Sequence, residues 1–84
     1  MDKPDLIAAI KEVVRPYAKN QEALESINES TDFIKDLKIN SANLVDVVLD
    51  VEEKFNIVID NESMERMLTV QAAMDVVESK LAEK

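Results

Sequence analysis

Apolar residues recur at helical spacing in three stretches of the chain. In each stretch they fall on one face, which predicts an amphipathic helix. Pro16 removes a backbone donor and disfavours helical geometry at the preceding residue, so the first helix is expected to kink or end there. The apolar positions are Leu6, Ile7, Ile10, Val13, Val14 and Tyr17 in the first stretch, Leu44, Val48, Val51 and Phe55 in the second, and Val70, Ala73, Met74, Val77 and Leu81 in the third.

Shorter signals fill the gaps between these stretches. Residues 18–27 are compatible with either a helical turn or a loop, and Ser30-Thr31-Asp32 predicts a cap before a short turn. Asp60-Asn61 predicts the start of a short helix near residues 62–67, and Thr69 is a good cap for the last helix. The expected fold is all-α, a small four-helix bundle of three long helices and one short helix, in a single domain spanning residues 1–84.

The valine-rich segment from Ser41 to Phe55 has an alternative interpretation as a buried strand. The acids of this segment decide between the two, because Asp46, Asp50 and Glu53 follow a spacing of four and then three residues. That spacing fits a helix and not the two-residue period of a strand. We therefore expect a helix from about Ser41 to Phe55.

Composition narrows the possible functions. The 84 residues include no Cys, His or Gly, which excludes the common zinc sites, thiol or imidazole catalysis and glycine-rich phosphate loops. Apolar runs are too short to span a membrane, and no secretory segment follows the N-terminus, so we expect a cytoplasmic monomer that does not insert into membranes. Asp60, Glu62 and Glu65 lack the spacing of a calcium loop, so no metal site is predicted.

The net charge of −8 is concentrated in the middle of the chain. Residues 41–65 contain seven acids and one base. Such a field repels nucleic acid and attracts a partner with a basic patch. On the predicted second helix, Leu49 borders the face formed by Asp46, Asp50 and Glu53, which predicts a mixed acidic and apolar docking surface. The alternative is that these acids only solvate the helix.

Ser41 stands at the predicted start of this helix, where the first backbone N–H groups lack partners within the helix. A serine there is well placed to hold a phosphate ester, although a serine in this position is more often a simple cap. The chain offers no base to activate the hydroxyl, so another enzyme would have to modify it. The protein is therefore expected to be a carrier or substrate and not an enzyme.

From residue 36 onward the chain resembles an acyl carrier protein. The resemblance is carried by the order Asp36-Leu37, Ser41, Asp46, Glu52-Glu53, Phe55, Ile59 and the run from Leu68 to Ala73. It implies a 4'-phosphopantetheine arm on Ser41, added by a phosphopantetheinyl transferase, that carries acyl groups as thioesters for fatty-acid or polyketide-type lipid biosynthesis. It also implies that Asp46, Asp50 and Glu53 bind the acyl-transferring and chain-elongating synthase enzymes, and Leu49 is expected to contribute because it borders this face.

The resemblance further implies that the interior of the bundle shelters the acyl chain. The expected pocket lies between the second long helix and the short helix, near Val48, Ile59, Met64, Met67 and Ala73. Methionine side chains are flexible enough to yield around variable guests. Ordinary filling of the core is the alternative role for these residues.

The chain departs from the family pattern around the serine. Asn40-Ser41-Ala42 replaces the usual Asp-Ser-Leu, and Lys38 stands where the family usually has glycine. These changes make a dedicated, specialised pathway plausible. They also keep open an acidic helical adaptor that never carries an arm, while an amino-acyl or peptidyl carrier fits the acidic second helix less well.

Overall fold

The computed structural model describes residues 2–83 and contains five α-helices in this part of the chain. A short 3₁₀ turn, Ser41–Asn43, leads directly into α3. The three long helices and the short helix before the last one confirm the predicted all-α bundle. The helices are α1 (Lys3–Val14), α2 (Gln21–Glu25), α3 (Leu44–Phe55), α4 (Asn61–Arg66) and α5 (Val70–Ala82).

Sequence signals at the ends of α1 and α5 act as expected. Pro4 lies in the first turn of α1, where its missing N–H is not needed, and α1 ends at Val14 just before Pro16. At α5 the Thr69 hydroxyl accepts a hydrogen bond of 3.2 Å from the Ala72 N–H. The two prolines therefore mark the ends of α1, and the Thr69 cap marks the start of α5.

The structure resolves one segment that the sequence left open and shifts the start of the second long helix. Residues 18–27 contain the short helix α2, whose cap is the Asn20 side chain, which accepts from the Ala23 N–H at 3.2 Å. The second long helix was expected from about Ser41, but its α-helical part begins at Leu44. The Asn43 N–H bonds to the Asn40 carbonyl at 2.8 Å, and this i→i+3 bond tightens the first turn into a 3₁₀ geometry.

One hydrophobic core joins the long helices and the loops between them. The predicted apolar lines supply most of it, with Ile7, Tyr17, Leu44 and Leu81 only partly buried. Val47 is also buried, although the predicted line of the second helix did not include it. The core residues are Leu6, Ile10, Val13, Val14, Ala18, Leu24, Phe33, Leu37, Ile39, Val47, Val48, Val51, Phe55, Ile57, Ile59, Met67, Val70, Ala73, Met74 and Val77.

The connection between α2 and α3 is held against the start of α5. The Phe33 N–H donates to the Leu68 carbonyl and the Val70 N–H to the Thr31 carbonyl, both at 2.9 Å. Asp32 forms the predicted cap, since its side-chain oxygen accepts 2.8 Å hydrogen bonds from the backbone N–H groups of residues 34 and 35. This connection is therefore an ordered part of the fold, and it leads directly to Ser41.

Left-handed backbone occurs at two residues of the described chain, in a protein without glycine. Lys38 has a φ of 60° and Asn56, which ends α3, has a φ of 54°. Asparagine tolerates this conformation, whereas for a lysine the contact between Cβ and the carbonyl costs about 1–2 kcal/mol. Lys38 is thus a strained position, three residues before Ser41.

Replacing Lys38 by glycine should stabilise the fold. Glycine adopts positive φ without the steric cost, and its larger entropy in the unfolded chain offsets part of that gain. We expect Lys38→Gly to raise the free energy of unfolding by about 0.5–1 kcal/mol, measured by urea denaturation. Lys35→Gly is the matched control in the same loop, at a residue without positive φ. It should lower stability, and a loss of stability in both variants would contradict the strain at Lys38.

Candidate functional site

Ser41 is exposed at the start of the helical run that continues into α3. The preceding residue, Asn40, is extended with φ −63° and ψ 133°, and its side-chain oxygen accepts from the Ala42 N–H at 2.9 Å. The Leu44 N–H bonds to the Ser41 carbonyl, which closes the turn. Asn40 thus acts as the cap, and the Ser41 side chain takes no part in the hydrogen bonds that close this turn.

The backbone donors at this turn are fewer than the sequence suggested. We expected the first N–H groups of the helix to lack partners, but Asn40 accepts from Ala42 with its side chain and from Asn43 with its carbonyl. The Ser41 N–H is the donor of the turn without an acceptor among residues 2–83. The site therefore combines one exposed hydroxyl with one available N–H at the same residue.

The predicted docking residues lie along α3. Asp46 and Glu53 are exposed, and Leu49 exposes 53% of its surface. Val45, which the sequence analysis did not include, exposes 50% one turn before Leu49 and enlarges the apolar part of this face. Val45 lies four residues before Leu49 and off the predicted apolar line, so the helical spacing that placed Leu49 beside the acids also indicated this position.

Two surface depressions meet along this face. One, of about 640 Å³, is lined by Leu49, Asp50, Glu52, Glu53, Asn56 and Ile57. The other, of about 370 Å³, lies towards the end of α1 and is lined by Glu12, Val13, Pro16, Asp50, Glu53 and Lys54. Asp50 and Glu53 line both depressions, so the two adjoin at these residues.

Asp50 is tied to the turn that follows the first helix by a hydrogen bond that the sequence did not reveal. The Tyr17 hydroxyl donates to the Asp50 carboxylate at 2.7 Å, across 33 positions of sequence. Asp50 is half-buried because it lies between α3 and the turn that contains Tyr17. The helical spacing placed Tyr17 on the apolar line of the first helix. Its hydroxyl group was the one feature that indicated a hydrogen-bond partner.

The side chains of the predicted acyl pocket come together in the core. Val48, Ile59, Met67 and Ala73 are buried, and Met64 packs against the same cluster. Glu52 holds the loop that carries Ile59, because its carboxylate accepts from the Ile59 N–H at 2.7 Å. The role of these five residues in sheltering a guest stays a prediction.

The acids near α4 make contacts within the protein. Among residues 2–83 there is no group of three acidic, His or Cys side chains arranged to hold a metal ion. The Ser63 hydroxyl and the Lys80 ammonium, which lies 3.4 Å from Asp60, lower the pKa of the Asp60 carboxyl.

Among residues 2–83 no helix is long and apolar enough to cross a bilayer.

Comparisons with known proteins agree on one family. No protein-family model matches the chain. The sequence is 29% identical to the acyl carrier protein of Coprothermobacter proteolyticus over 84 residues, which is the whole of both chains. The fold is similar to the crystal structure of an acyl carrier protein from Thermotoga maritima, with a TM-score of 0.80 and 30% identity, covering 99% of this chain and 94% of that one.

The Tyr17–Asp50 contact should be visible in the titration of the tyrosine. The hydrogen bond to Asp50, then partial burial and the negative charges of Asp50 and Asp46, raise the Tyr17 pKa above its ordinary value of 10.0. Tyr17 is the only tyrosine, so tyrosinate absorbance reports it alone. We expect Asp50→Asn to lower this pKa towards 10.0 and Glu78→Gln, on α5, to leave it unchanged.

The same contact predicts a dependence of stability on pH. Folding raises the Tyr17 pKa, so the Tyr17–Asp50 contact contributes its full stabilisation of the fold below pH 10.0. This stabilisation is lost as the pH rises through the pKa of Tyr17 in the folded protein. The wild-type free energy of unfolding should therefore fall more steeply above pH 10.0 than that of Tyr17→Phe. Parallel curves for the two proteins would show that the contact does not persist in solution.

Proposed function

This chain belongs to the acyl carrier protein family, and on that premise we propose that Ser41 carries a covalent 4'-phosphopantetheine arm. The observation that carries the proposal is the exposed Ser41 hydroxyl at the start of α3, next to an N–H without an acceptor among the described residues. A phosphate ester fits this position, because the Ser41 N–H is available as a donor and the Ser41 side chain is not used for capping. The arm supplies a terminal thiol that holds acyl groups as thioesters.

Modification requires an external enzyme. The sequence has no His or Cys, and among residues 2–83 no carboxylate is hydrogen-bonded to Ser41. A phosphopantetheinyl transferase would supply the base that removes the hydroxyl proton as the new bond to phosphorus forms. The protein is then a carrier and a substrate of other enzymes, and performs no catalysis of its own.

The partner surface of this carrier is proposed to be Asp46, Leu49, Asp50 and Glu53. The exposed acids attract a basic partner over a distance, and Leu49 with Val45 offers apolar area to bury on contact. The transferase and the acyl-transferring and chain-elongating synthases would all approach this face. We place the carrier in the cytoplasm, as a monomer, in fatty-acid or polyketide-type lipid biosynthesis.

Intact-protein mass spectrometry tests the arm. After incubation with coenzyme A and a broad-specificity phosphopantetheinyl transferase, the wild type should gain the mass of one phosphopantetheine and Ser41→Ala should gain none. Circular dichroism of both proteins shows whether they are folded. If the folded wild type gains no mass with this transferase or with the transferase of its own organism, the armless adaptor becomes the better description.

Loading kinetics test the partner surface. Asp46→Lys and Leu49→Ala should each lower kcat/KM for the transferase about fivefold or more, the effect of losing roughly 1 kcal/mol of binding. The matched controls are Glu78→Lys, an exposed acid on α5, and Leu68→Ala, which exposes 46% of its surface between α4 and α5. If a variant and its control lose the same amount of kcat/KM, then α3 is not part of the surface that the transferase recognises.

A further inference from the structure

Most of the basic side chains form ion pairs, but a few have none. Five of the described basic residues lie within 4 Å of a carboxylate. The remainder have no ion pair among residues 2–83, although acids outnumber bases by 18 to 10 in the sequence. Within the described part of the chain, the lysines without an ion pair are Lys19, Lys35, Lys38 and Lys54.

Lys38 is distinguished from the others by its backbone. Its φ of 60° is one that glycine adopts without cost, so a lysine here lowers the stability of the fold. Residues in such strained conformations are concentrated at functional sites. The strain is therefore a reason to ask what the exposed ammonium group of Lys38 binds.

The chain on both sides of Lys38 is fixed. The Leu37 carbonyl accepts from the N–H groups of Lys19 and Asn20 at 3.0 and 3.1 Å. On the other side, Ile39 is buried and its N–H bonds to the Phe33 carbonyl at 3.0 Å. Because both neighbours are held in place, the exposed Lys38 side chain starts from a defined point on the surface.

Ser41 lies within reach of this point. Three residues span at most roughly 10 Å even when fully extended, and a lysine side chain adds a flexible four-carbon stem. Asp36, the nearest carboxylate in sequence, accepts from the Asp32 N–H at 2.7 Å and lines the same surface depression as Lys38. Among the described residues the two form no ion pair, so the ammonium of Lys38 is available to an added anion.

We propose that Lys38 is a positioning residue whose ammonium group binds the phosphodiester anion at Ser41. The inference rests on the proposed function, because it requires the arm to be attached. Lysine binds phosphate as a compact point charge, which suits a short reach across a loop. The contact holds the base of the arm near the start of α3 and offsets part of the charge added to an acidic protein.

Competitive acetylation of the lysines tests this contact. Loaded protein and Ser41→Ala are each treated with a trace of acetic anhydride, and the acetylation of every lysine is measured by peptide mass spectrometry. An ammonium paired with an anion reacts more slowly, so the rate at Lys38 relative to Lys35 should fall about two- to fivefold on loading. Lys35 is an exposed lysine of the same loop and also has no ion pair.

Salt separates an ion pair from shielding by the bulk of the arm. The protection of Lys38 should largely disappear at about 1 M salt, where charges are screened beyond roughly 3 Å, whereas steric shielding would persist. An unchanged ratio on loading, or protection that salt does not remove, would overturn the proposal. The mass of the sample is measured first, so that a protein that never gains the arm counts against the proposed function itself.

Discussion

The position of Ser41 depends on three buried side chains that lie upstream of it. Phe33, Leu37 and Ile39 are each almost completely buried, so the connection before α3 is part of the core. Backbone hydrogen bonds from this connection to the start of α5 remove its remaining freedom. An exposed hydroxyl is thereby presented from a rigid support, which is the arrangement that a functional group on a loop requires.

That support places two different surfaces next to each other. The core side of α3 belongs to the same cluster as Ile59, Met67 and Ala73, while its outer side exposes Asp46, Leu49 and Glu53. The proposed function would use both sides of this helix, the core side to shelter cargo and the outer side to bind partners. The helix periodicity separates the two tasks without any additional structure.

The sequence predicted the parts of this design that depend on local pattern. The long helices, the end of α1 at Pro16 and the Thr69 cap follow from spacing and capping chemistry, which act within a few residues. The bond from Tyr17 to Asp50 and the pinning of Phe33 to Leu68 were not predicted, because they join residues more than 30 positions apart. Ser41 drew attention because it stands at the start of a predicted helix. Its proposed role rests on the resemblance to acyl carrier proteins, which begins at Asp36.

The hydrogen bond from Tyr17 to Asp50 gives the protein an internal optical reporter. The chain has one tyrosine and no tryptophan, so its tyrosine emission comes from a single ring. A carboxylate that accepts a hydrogen bond from the phenol quenches that emission, and Asp50 belongs to the surface proposed to bind a basic partner. Any partner that draws Asp50 away from the phenol would brighten the tyrosine, so the proposed docking on α3 would be reported without an attached label.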